Sequence, residues 1–119
     1  MHVLFGLGPD ESALEALDVA IGRAGEMGDD LTVAVFGDAA DRDLLAERAR
    51  GPLDTLDSPT DVRELSGDPG GRLVELAESE GFDRIVLPGG TRSPLGKIQF
   101  DDVTEFVLLN ATTTVTLIR

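Results

Sequence analysis

Short apolar runs alternate with amphipathic stretches along this chain. Val3, Leu4, Phe5 and Leu7 form a run closed by Gly8-Pro9, which predicts a buried strand. Asp10-Glu11-Ser12 then opens a helix with acids in its first turn, where the helix dipole favours them. Leu14, Leu17, Ile21 and Ala24 recur at helical spacing and give that helix one apolar face, closed by Gly28. Residues 31–36 predict a second buried strand ending at Gly37-Asp38. A second helix is expected over residues 39–50, with Leu44 and Leu45 inward and Gly51-Pro52 as its stop. Residues 61–65 alternate and are polar, as suits a strand at a sheet edge.

Gly67-Asp68-Pro69 opens the third helix, with Asp68 as N-cap, Pro69 in the first helical position, and Leu73, Leu76 and Ala77 inward. Gly81 ends it, and residues 84–87 form a fourth strand. A glycine-containing loop follows, then a helix over residues 101–109 with Val103, Phe106 and Val107 inward and Asn110 as C-terminal cap. Residues 113–118 are rich in Thr, Val and Ile and predict a final strand. The five phenylalanines, Phe5, Phe36, Phe82, Phe100 and Phe106, are expected in the core.

The order β-α-β-α-β-α-β-α-β predicts an α/β fold: a five-stranded parallel open sheet, doubly wound and Rossmann-like, with helices on both faces. All 119 residues fit a single domain. Ligands of such sheets sit at the carboxyl ends of the strands, where the strand order reverses. That rule points to the segments after Leu7, after Leu87 and around Gly37.

Composition narrows the chemistry. There is no cysteine, and His2 is the only histidine, so neither a serine–histidine triad nor a multi-histidine metal site is available within one chain. Trp and Tyr are absent, which removes most residues that stack on nucleobases in nucleic-acid readers. No apolar run spans a membrane and no leader pattern begins the chain, so a soluble cytoplasmic protein is expected. The formal net charge is −13, and Lys97 is the only lysine. Such a surface repels nucleic acid and anionic lipid. It suits a salt-rich cytoplasm, where ~1 M salt screens charges beyond about 3 Å, and we read a halophile.

The chain resembles the universal stress protein family, the UspA-like domains, over nearly all of its length. The resemblance rests on the first strand with its glycine turn and helix, on Gly67-Asp68-Pro69, and on Phe82-Asp83-Arg84-Ile85-Val86-Leu87 followed by the glycine loop and Val103-Thr104-Glu105. Nucleotide-binding members carry Gly-x2-Gly-x9-Gly-Ser/Thr in that loop. The same spacing falls here on Pro88, Thr91, Asp101 and Asp102, and none of them matches. Such members also place an Asp at the end of strand one, where this chain has Gly8, with Asp10 two residues on.

The resemblance therefore implies a non-catalytic regulatory or interaction module without a cofactor. It also implies a homodimer through the last strand, with Val115 and Leu117 near the interface, and leaves room for a further protein partner. The competing reading is an ATP or AMP sensor, or a slow ATP hydrolase, using ATP with Mg²⁺. Its candidate ligand residues are Gly8, Asp10, Gly89, Gly90, Arg92, Ser93 and Lys97. A small enzyme on the same scaffold is disfavoured, since no nucleophile–base pair is visible. Asp101 and Asp102 are read as an N-cap and a first-turn acid in preference to a divalent-cation site.

Overall fold

The computed structural model of the chain describes residues 1–10, 12–89, 91–92 and 98–118; for 91, 92, 98 and 99 only the backbone is described. Five parallel strands, β1 (His2–Leu7), β2 (Asp30–Val35), β3 (Thr60–Glu64), β4 (Arg84–Pro88) and β7 (Thr114–Ile118), form one sheet in the order β3-β2-β1-β4-β7. Four helices, α1 (Ala13–Met27), α2 (Ala39–Leu53), α3 (Pro69–Ser79) and α4 (Asp102–Asn110), connect them. The expected doubly wound fold is present. β5 (Thr91–Arg92) and β6 (Ile98–Gln99) add a short antiparallel ribbon inside the glycine-containing loop that follows β4.

The alternation of side chains along the strands splits the core in two. Phe5, Leu7, Val33, Val35 and Val86 face α1 and α2, while Leu4, Ala34, Ile85 and Leu87 face α3 and α4. β1, at the centre, is apolar on both faces, as a strand covered by helices on both sides must be. Each fully buried Leu or Phe there contributes about 1.5–3 kcal/mol. β3, the polar strand, lies at one edge as expected, and β7 lies at the other.

Helix ends follow local chemistry. Asp68 accepts the N–H of Gly71 at 3.0 Å, and Pro69 occupies the first position of α3. Gly28 takes φ +70° and closes α1 with its N–H on the carbonyl of Ala24. After α3, Gly81 turns left-handed at φ +69° and the N–H of Phe82 returns to Ala77 at 2.9 Å.

Several expectations need correction. α2 continues through Gly51-Pro52 to Leu53, because Pro52 lies in the last turn and the buried Leu53 anchors that turn in the core. Leu44 is 46% exposed: the face that meets the sheet carries Leu45, Ala46, Ala49 and Leu53, and its neighbour points away. Of the phenylalanines, Phe5 and Phe82 are buried and Phe36 is half-buried, whereas Phe100 and Phe106 are exposed. Phe106 lies across α3 against Gly70, where an added Cβ would stand 2.9 Å from its ring. Asn110 is the last residue of α4, not its cap, and its side-chain amide donates to the carbonyl of Phe106 at 2.8 Å.

Candidate functional site

β1 lies between β2 and β4, and the chain leaves the carboxyl ends of β1 and β4 towards opposite faces of the sheet. The divergence opens a cleft of about 450 Å³. Gly6, Gly8, Pro9, Asp10 and Ala13 line it from β1 and α1; Leu87 and Pro88 from β4; Asp101, Val103 and Thr104 from α4; and Phe36 from the end of β2. This is the place that strand topology dictates for a ligand.

Close packing shapes the cleft. The N–H of Phe36 donates to the carbonyl of Leu7 at 3.1 Å and continues the β1–β2 ladder by one residue. Its ring then lies over Gly8, where an added Cβ would sit 2.4 Å from Cε2. Gly8 is glycine because that ring occupies the space of a side chain. Val103 and Phe36 are half-buried, and Thr104 is only 3% exposed.

Two carboxylates stand on this mostly apolar wall. Asp10 shapes the turn into α1: its carboxylate accepts the N–H of Ser12 at 3.3 Å and its carbonyl that of Ala13 at 3.0 Å. Asp101 caps α4, its side chain accepting the N–H of Thr104 at 2.7 Å. Asp102 and Glu105 add two more acids to the first turn. Among the described lining residues none is cationic.

The candidate ligand residues separate. Gly8 and Asp10 line the cleft. Gly89 is buried, and its N–H donates to the carbonyl of Ile118 at 2.6 Å, which commits it to the β4–β7 ladder. It borders a different, smaller cavity of about 190 Å³ beside Ser12, Glu15 and Ile118. Arg92 has its backbone in the β5–β6 ribbon, while Gly90, Ser93 and Lys97 lie outside the described residues. Sequence reasoning assigned Phe36 to the core and did not single out Thr104 as a wall residue. The available signals were the place of Phe36 at the end of β2 and that of Thr104 three residues beyond the cap. Among the described residues no group of three or more His, Asp or Glu is placed to hold a metal, and no helix is long and apolar enough to cross a membrane.

The sequence pattern of the universal stress protein family matches residues 1–119. The chain belongs to this family. Solved universal stress proteins share its fold at low identity. One from Archaeoglobus fulgidus aligns at a TM-score of 0.78 and 22% identity, covering 100% of this chain and 98% of that one. A universal stress protein in complex with cAMP aligns at 0.80 and 23% identity, over 99% and 95%. A family protein from Arabidopsis thaliana with AMP bound aligns at 0.75 and 13% identity, over 99% and 90%. No match is found among curated proteins.

Proposed function

We propose that this universal stress protein is a non-catalytic regulatory module that works as a cytoplasmic homodimer and does not bind ATP. The observation that carries the reading is the capping of α4 by Asp101 at 2.7 Å from the N–H of Thr104. A helix N-terminus attracts phosphate through its free N–H groups and about half a positive charge. Here the protein supplies its own anion, and Asp102 and Glu105 reinforce it. Pro88 and Thr91 stand where the family's loop motif has glycine, and Pro88 has no N–H to give a phosphate. The backbone N–H of Gly89 is already used by Ile118. These residues do not fit a triphosphate. Dimerisation would use β7, whose outer edge has no neighbouring strand in the sheet; Val115 and Leu117 are half-buried on it. The acidic surface would serve a salt-rich cell interior, and a further protein partner would read the dimer.

A second reading, a nucleotide sensor or slow ATP hydrolase, is favoured by the solved relatives in complex with cAMP and AMP. In it Gly89, Gly90, Arg92, Ser93 and Lys97 would meet the phosphates, and Mg²⁺ on Asp101 or Asp102 would offset their repulsion. Equilibrium dialysis of labelled ATP with Mg²⁺ in molar KCl separates the two. No binding at millimolar ATP supports the first reading, and micromolar binding replaces it with the second.

A further inference from the structure

A second cavity lies away from the cleft, beneath α1 and towards the amino end of the sheet. The register sets Arg84 of β4 beside Val3 of β1, and Val86 beside Thr116 of β7. Val3 and Val86 face α1, and strand alternation turns Arg84 and Thr116 to the same side. α1 crosses them with Ala20 and Ala24, both buried. These short side chains leave a gap of about 40 Å³, lined also by Arg23, Asp29, Arg84 and Thr116.

The gap holds an unanswered charge. Arg84 is half-buried, and its Nε is shut off from solvent with no hydrogen-bond acceptor among the described residues. Buried donors nearly always have a partner, and a guanidinium cannot escape the need by losing its proton. Arg23 brings a second cation to the same gap. Among the described residues no ion pair joins either arginine to a carboxylate, in a chain with 23 acids against 10 basic residues. Asp29, the acid on the lining, pairs with the amino group of Met1 at 3.3 Å.

We propose that this cavity binds one monovalent anion the size of chloride, held by the Nε–H of Arg84, the guanidinium of Arg23 and the hydroxyl of Thr116. A water molecule would meet the donor but would leave the two positive charges uncompensated. A single water position takes roughly 10–15 Å³, so the gap suits a monatomic ion with a water or two and not a nucleotide. Asp29 disfavours a doubly charged anion at the same place. The bound ion ties α1 to the β4–β7 pair. It gives KCl an anion-specific effect on the fold, whereas screening of an acidic surface is the work of the cation.

The test titrates the full-length protein with chloride at constant ionic strength, potassium gluconate being replaced by KCl, and follows the line width of ³⁵Cl NMR. Wild type is expected to show saturable broadening. Arg23 is exposed, so Arg23→Gln leaves the fold intact, and it is expected to weaken chloride by about tenfold. Arg84→Met keeps the apolar stem, removes the donor and is expected to abolish the saturable part; circular dichroism checks its fold, and Arg23→Gln decides alone if it fails. Crystals soaked in bromide are expected to show an anomalous peak in hydrogen-bonding contact with Nε of Arg84. Absence of saturable broadening, or broadening unchanged in both variants, overturns the proposal. So does a water alone in the gap, or an acidic side chain of a neighbouring copy inserted there. A bromide peak without an effect of either variant in solution means an adventitious ion only, and it overturns the proposal as well.

Discussion

The carboxylate of Asp101 accepts the backbone N–H of Thr104 at 2.7 Å, so the helix end that borders the cleft is closed by the chain itself. The bond supports the start of α4. Asp101→Ala is expected to destabilise the fold by about 1 kcal/mol, and Asp101→Asn by clearly less. Urea unfolding of the two variants at constant KCl checks this. Equal losses would show that the carboxylate charge, and not the cap geometry, supports α4.

Gly6 faces two buried leucines. An added Cβ would lie 2.6 Å from Cδ2 of Leu87 and 3.1 Å from Cδ1 of Leu73, both of which are fully buried. Gly6→Ala is therefore expected to cost about 1–3 kcal/mol by overpacking. Leu87→Val in the same chain is expected to return part of that loss, and a double-mutant cycle by thermal unfolding measures the coupling.

Arg63 joins β3 to the end of α3. Its guanidinium donates to Glu80 at 2.7 Å and to Asp61 at 2.8 Å. The hydrogen bond from Arg63 holds the carboxyl of Glu80 below its ordinary range. A carboxyl depressed in the folded state stabilises fully above its unfolded pKa, and that contribution disappears as the pH falls through the folded value. The difference in unfolding midpoint between wild type and Glu80→Gln is accordingly expected to be largest at neutral pH and to disappear in acid, as the pH falls through the lowered folded value of Glu80. Because the pair is exposed, the difference is small even at its maximum. A difference that grows in acid would contradict this assignment.

A net charge of −13 on 119 residues repels itself across the surface. Raising KCl from about 0.1 M to about 1 M shortens the screening length from roughly 10 Å to 3 Å. The unfolding temperature is expected to rise over that range, as followed by circular dichroism. Equal stability at both concentrations would remove the argument for a salt-rich cell interior.

β7 ends the sheet opposite the polar β3. Unlike β3 it carries half-buried Val115 and Leu117 instead of charges. A second copy paired on this edge would satisfy its outer backbone groups. Multi-angle light scattering in molar KCl at roughly 20 μM chain, above the dissociation constants of stable interfaces, is expected to give twice the chain mass. A folded monomer would sink the dimer.

Much of this molecule was legible in the residues alone. The alternation of apolar strands with amphipathic helices determined the doubly wound sheet, because a strand apolar on both faces must be covered twice. Asp68 and Asp101 were readable as caps, since an Asp immediately before a helix serves the nearest free N–H groups through a local bond. Strand order pointed to the segment after Leu7, and the family resemblance to Gly8 and Asp10 within it; both line the cleft. Other features depended on contacts between segments far apart in the chain. The shared face of Leu45, Ala49 and Leu53 let α2 run through Pro52, because burying Leu53 outweighed a missing hydrogen bond in the last turn. Phe106 is exposed on α4 and packs across Gly70, a contact between helices that periodicity within α4 does not show. The apolar wall of the cleft needed β2, β4 and α4 to bring Phe36, Pro88 and Thr104 together. Local hydrogen bonds and periodicity are written in neighbouring residues, so the sequence determined the elements and their caps. Which side chains share a cavity depends on how those elements pack, and that the tertiary structure alone decided.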